Sequence, residues 1–206
     1  MSITYPLDFP DVLTIENFEI GLRTSSAKTV SPFSLAEQVF DFGGQVWELK
    51  GAMPPMTREN AAVYSSFVMS LRGQVGTFLM PIPDSKNPLG SWGGTPVVSG
   101  GGQTGDELVL SGLPASQTGV AKAGDYISLG SGNNTRLHRV VEDADSDGSG
   151  NMTVTIVPRL RVSPNDLDAV TYQNAKGVFR MVERMNSYGG SPSSLYDMKI
   201  ACREAL

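Results

Sequence analysis

Only one stretch of this chain, Thr57 to Leu71, repeats its apolar residues at three- and four-residue spacing, with Ala61, Tyr64, Val68 and Leu71 on one side. Pro54-Pro55 blocks any helix upstream, Thr57 is placed to cap the first turn, and Gly73 supplies a stop. Elsewhere the apolar residues alternate or run briefly between turn residues, which is the pattern of strands. The chain therefore reads as mainly β with one α-helix. Its 23 glycines and 13 prolines make up about one residue in six against roughly one in eight on average, enough to end many strands and too few for a low-complexity chain.

From Asp11 to Arg23, the residues Phe18, Ile20 and Leu22 alternate with Glu19, Gly21 and Arg23, giving a strand with one wet face. Phe40 and Phe42 share a face in a second strand, and Trp47 and Leu49 open a third. Gly43-Gly44 between them predicts a tight hairpin, because both positions tolerate positive φ. A further strand is expected over Val75 to Pro81. From about Gly90 to Pro164, short strand patterns at Glu107 to Leu110, Tyr126 to Leu129, Thr135 to Val141 and Met152 to Val157 are separated by Gly-rich breaks, the rhythm of a small barrel or sandwich. Alternation returns at Val178 to Glu183 and Tyr196 to Arg203, on either side of a polar loop over Asn186 to Ser194. The late strands predict an insertion. Residues 1–90 and 167–206 would form a β-sandwich carrying the helix at 57–71, and residues 91–166 an inserted small β-barrel-like domain.

A net charge of −5 weighs against a protein that wraps a nucleic acid duplex. Cys202 and His138 are the only residues of their types, so neither an intrachain disulfide nor a multi-ligand zinc site can form. Met1 to Pro10 lacks the basic start and apolar run of a signal peptide, and no later run approaches the roughly 18 apolar residues of a membrane span. Asp143, Asp145, Asp147 and Gly148 match the opening of a calcium loop, but the twelfth position is Val154 where a bidentate Glu is needed. A solvated hairpin loop is expected there. His138 lies at an alternating position without a nucleophile signature, and reads as a strand-face histidine. Gly100-Gly101-Gly102 and Gly130-Ser131-Gly132 read as turns, since neither leads into Lys-Ser/Thr or a helix. No catalytic residues, metal ligands or cofactor site are expected.

Phe33, Phe40, Phe42 and Trp47 crowd into fifteen residues beside Pro32, Pro54 and Pro55. Such aromatics ordinarily fill a core, and they also suit a permanent subunit interface.

The order of Ser31-Pro32-Phe33, Gln38-Val39-Phe40-Asp41-Phe42-Gly43-Gly44, Trp47-Glu48, Met53-Pro54-Pro55-Met56 and Leu71-Arg72-Gly73 resembles the minor tail and distal tail proteins of long-tailed bacteriophages. The resemblance continues through Gly76 and Phe78, Ala123-Gly124-Asp125, Arg136-Leu137-His138-Arg139-Val140, Pro158-Arg159-Leu160-Arg161 and Gly177-Val178-Phe179-Arg180, from about Thr14 to Arg180. Ser34-Leu35 departs from it, standing where Thr-Gly is expected. The resemblance implies a structural subunit of the virion tail, assembled in the host bacterial cytoplasm. It also implies a ring-forming β-sandwich with one helix, often with a separate β domain. The partners implied are further copies in a homohexameric ring, the tail tube protein and the baseplate hub, with genome DNA only passing through the lumen. Phe33, Phe40, Phe42 and Trp47 would then lie at the subunit interface. The alternative is a carbohydrate- or receptor-binding module with Trp92, Tyr126 or His138 lining a sugar site.

Overall fold

A computed structural model of the chain describes residues 3–183, 189–190 and 195–206. In chain order it contains β1 (Leu7–Asp8), β2 (Asn17–Val30), β3 (Glu37–Ala52), helix α1 (Arg58–Ser70), β4 (Phe78–Pro81), β5 (Val97–Val98), β6 (Gly105–Ser111), β7 (Tyr126–Leu129), β8 (Arg136–Val140), β9 (Met152–Leu160), β10 (Val170–Thr171), β11 (Lys176–Met181), β12 (Gly189–Gly190), β13 (Tyr196–Asp197) and β14 (Lys199–Glu204). The mainly β class with a single α-helix is what the sequence predicts.

The first sheet runs β1-β4-β11-β14-β3-β2, so strands from both ends of the chain interleave. All its pairings are antiparallel except β1 with β4. Helix α1 lies on it through Ala61, Tyr64, Phe67 and Val68, the face that the helical spacing marks. Phe67 packs edge-on against Phe9 and Phe78 at 5.5 and 5.4 Å, and Phe78 continues to Phe179. The Tyr64 hydroxyl donates to the Lys199 carbonyl at 2.5 Å, tying helix to strand. Thr57 occupies the cap position without a side-chain bond, and the helix ends at Leu71, after which Arg72, at φ +52, turns left-handed one residue before the expected Gly73.

The second sheet, β10-β7-β8-β9-β6-β5, curls until Val97 bridges Ala169, which nearly closes it into a small barrel. Leu108, Leu110, Val120, Ile127, Val140, Val154 and Ile156 are fully buried inside. This near-closure covers most of the edge that so short a set of strands would otherwise offer. Strand β10 belongs here, pairing Val170 with Leu129. The loop expected over 186–194 lies outside the described residues, apart from Gly189–Gly190, which pair with Tyr196–Asp197.

The hairpin expected at Gly43-Gly44 is not there: β3 runs straight through both glycines. The turn is instead Ser31 to Ala36, where the Ser31 amide donates to the Ala36 carbonyl and Leu35 takes φ +56. Thr24 pairs with Gln45 but Ser26 pairs with Asp41, so Ser25 faces Phe42, Gly43 and Gly44 across a bulge. Gly43 sits at φ +73, which a side chain resists. Gly-Gly signals positive φ, and a bulge uses it as readily as a turn.

At the mouth of the barrel, the buried Asp125 carboxylate accepts from the amides of Leu89, Gly90 and Lys122 at 2.5, 3.2 and 2.9 Å and from Trp92 Nε1 at 2.7 Å. It organises an irregular segment that no ladder supports. Replacing it with Ala takes the acceptor from the buried Trp92 Nε1 and from three part-buried amides, so Asp125→Ala should destabilise the chain by about 3 kcal/mol. Urea denaturation followed by tryptophan fluorescence would measure this, and a loss below about 1 kcal/mol would show that water takes the carboxylate's place.

Candidate assembly interface

Strand β14 supports β3 only as far as the Arg203 to Glu48 pairing, and β2 has a neighbour on one side alone. Beyond that point β2 and β3 continue as a bare two-stranded ribbon. Residues 24–42 of this arm are exposed apart from half-buried Ser31. Phe33 is 97% exposed, Phe42 69% and Phe40 51%, with Leu35, Val39 and Val30 exposed among them. Lys28 and Glu37, bridged at 2.6 Å, are the ion pair within the arm. Six large apolar side chains are exposed on this projection, Phe40 and Phe42 on one face of the ribbon and Val30 and Val39 on the other, and such a concentration of exposed apolar residues marks an interaction site.

Trp47 corrects the expected set. It is 4% exposed and lies in the core beside Tyr126, ring centroids 5.9 Å apart. Its Nε1 donates to the Leu137 carbonyl of the barrel at 3.0 Å. The same strand thus carries an exposed Phe42 and a buried Trp47, with the bulge between them.

Around Trp47 the two sheets meet in a polar seam. The Trp47 amide donates to Glu204 Oε2 at 3.2 Å, and Arg161 Nη2 donates to Glu204 Oε1 at 2.5 Å. The Glu204 side chain is fully buried and that of Arg161 is 15% exposed. Arg161 Nη1 also reaches the Gln45 carbonyl at 2.9 Å, while the Arg159 amide donates to Gln45 Oε1 at 2.9 Å. Arg159 Nη2 then pairs with Asp41 at 2.9 Å, already on the arm.

His138 is buried in β8, with Nδ1 2.7 Å from the Pro158 carbonyl, a contact that requires the proton on Nδ1. Burial pushes its pKa down to about 4, the Pro158 carbonyl pulls it back up, and the Arg161 and Arg136 cations press it down further. It is a neutral structural histidine. Trp92 is equally interior, donating to Asp125 and stacked on Tyr172 at 5.4 Å, and Tyr126 is 5% exposed. The three side chains of the alternative sugar site therefore face cores and line no surface.

The three aspartates of the calcium-like loop turn apart. Asp143 accepts from the Ala123 amide and pairs with Lys122, Asp145 accepts from the Gly119 amide, and Asp147 accepts from the amides of Ser149 and Asn151. Each carboxylate fastens a different piece of loop. The sequence reading missed Asp125, Arg159, Arg161 and Glu204. Pro158-Arg159-Leu160-Arg161 was a visible signal, because two arginines at alternate positions of an otherwise apolar strand share one face.

A family model described as distal tail protein pb9, B domain, matches residues 85–175. Over this stretch the chain resembles a phage distal tail protein. The match covers the barrel with its flanks, bears out the resemblance read from the sequence, and supports a structural role in a phage tail. No curated protein matches the chain.

Two outcomes test the seam. Glu204→Ala leaves the Arg161 cation enclosed without its counter-ion, and should cost about 3–5 kcal/mol in urea denaturation. A loss under 1 kcal/mol would mean that the cation escapes to solvent. For His138 the folded pKa lies below the unfolded value of about 6.5, so the unfolded state binds the extra proton. Its contribution is complete above pH 6.5 and is lost as pH falls toward 4, to a total of about 3 kcal/mol. His138→Asn keeps a donor near Pro158 but cannot titrate, and should flatten that part of the stability profile. An unchanged slope between pH 6.5 and 4 would assign the acid sensitivity elsewhere.

Proposed function

We propose that this chain is a non-enzymatic structural subunit of the tail tip of a siphovirus-type phage or prophage: a distal tail protein that closes into a homohexameric ring. The tail tube protein would bind one side of the ring and the baseplate hub the other. The chain would act in the virion tail after assembly in the host bacterial cytoplasm. Residues 1–90 and 167–206 would be the ring-forming domain and 91–166 the inserted domain, with the second boundary moved to between Thr171 and Lys176 because β10 (Val170–Thr171) pairs into the barrel. The pairing of Pro81 with Lys176, where the chain leaves and re-enters the first sheet, supports that division. So does the family match at 85–175.

The observation that carries the reading is the arm. A ring needs two different complementary surfaces on every subunit, and the rotation between copies must close. An apolar projection from the sheet, with Phe33, Phe40 and Phe42 outermost, is one such surface, and aromatic residues dominate obligate interfaces. The genome would pass through the lumen without being held, which a net charge of −5 per subunit favours. The sugar-binding alternative loses its support with the burial of Trp92, Tyr126 and His138.

Phe33→Asp and Phe42→Asp should leave circular dichroism unchanged and abolish assembly in light scattering, where the wild type runs at a multiple of 22.0 kDa. Trp47→Asp is the contrasting control, since a charge in the core should unfold the chain. A wild type that stays monomeric at high concentration with its tube protein present would overturn the ring.

A further inference from the structure

The arm poses a mechanical problem. A two-stranded ribbon unsupported by a third strand is marginal in water, and this one carries a bulge with two glycines at its root. Left alone it would swing at Gly43-Gly44, and its apolar tip would have no fixed direction. Yet β9 of the barrel crosses that root. The Arg159 amide donates to Gln45 Oε1 on the body side of the bulge, and Arg161 Nη1 donates to the Gln45 carbonyl. The Arg159 side chain then spans the bulge. Its guanidinium lies over Gly43, where an added Cβ would fall 3.1 Å from Nη1, and Nη2 binds Asp41 Oδ2 at 2.9 Å on the arm side. Asp41 Oδ1 meanwhile accepts from the Gly43 amide at 2.7 Å, so one carboxylate holds both the bulge and the barrel.

We propose that the inserted barrel is a brace for the arm, and that Arg159 and Asp41 are positioning residues that lock the bulge so that the ribbon projects in one direction. Bare Gly43 is part of the device, since its φ of +73 resists a side chain and a Cβ there would crowd the guanidinium at 3.1 Å. The brace itself stands on the contacts above; its use in orienting the apolar tip toward a second copy rests on the ring reading.

Hydrogen exchange on the full-length chain tests it, in a Phe33→Asp background that keeps the chain unassembled so that ring contacts cannot protect the arm. Arg159→Ala and Asp41→Ala should each speed exchange of ladder amides in 26–30 and 37–40 by up to about fivefold, the upper range of an exposed ion pair. The double variant should be no faster than the faster single one, because both remove the same contact. Melting curves should not move. Arm amides that exchange at unprotected rates before any substitution, rates unchanged in Arg159→Ala, or effects that simply add would each overturn the brace. With Phe33 restored, Arg159→Ala should raise the concentration needed for assembly by a similar factor. Faster exchange with unchanged assembly would overturn the orienting role while leaving the ring standing, and loss of the ring in the wild type would leave the exchange result readable by itself.

Discussion

A buried ion pair is tolerable only when its geometry is imposed from several directions, and the Arg161–Glu204 pair draws on most of the chain for that. Glu204 comes from the last strand of the first sheet, Arg161 follows the longest strand of the barrel, and the backbone groups that also bond them belong to Trp47 and Gln45 at the root of the arm, with the buried Arg161 Nε left unpaired among the described residues. Moving the last strand or the barrel would part the two charges, and moving the root of the arm would take away their backbone partners. Apolar contacts also join the two sheets, since Tyr126 and Leu137 of the barrel lie in the core of the first sheet, and the seam adds directional bonds to that packing. Trp47 fits the same logic, filling the gap with its ring while its indole nitrogen fixes the distance to Leu137.

The helix was legible because Ala61, Tyr64, Val68 and Leu71 could satisfy no other period, and the strands were legible wherever alternation ran unbroken. The turn between β2 and β3 was not, because two cues conflicted. Gly43-Gly44 is the stronger turn signal, while the true turn carries Leu35 in a left-handed conformation that such a residue adopts at a cost of about 1–2 kcal/mol. It is the same residue that stands where the resemblance leads one to expect Gly. The placement of the aromatics was half legible. Phe40, Phe42 and Trp47 look alike as apolar residues of one strand, but only the lateral neighbours decide burial: Trp47 lies where β14 and the barrel flank it, and Phe42 lies past the end of both.

Within the barrel the polar residues were harder to read than the apolar ones. Asp125, Asp143, Asp145 and Asp147 all look like surface carboxylates or ligands in a sequence, yet each accepts hydrogen bonds from backbone amides in irregular segments. Where chain direction changes without a ladder, donors are left over and a short carboxylate is the economical acceptor. Spacing along the chain carries no sign of this, because the donors of Leu89 and Gly90 lie more than thirty residues from Asp125.

Pro81 and Lys176 are cross-strand partners, so the backbone leaves the first sheet and returns to it at points about 5 Å apart. In the ladder everything from residue 82 to 175 occupies the place of a hairpin turn. An ancestral chain could have carried a few residues there, and a relative could carry a larger or chemically different module, with every pairing of the sheet preserved. What would not survive such an exchange is the support that the arm receives from β9. Lineages that vary this module must therefore supply another prop for the ribbon, or shorten it.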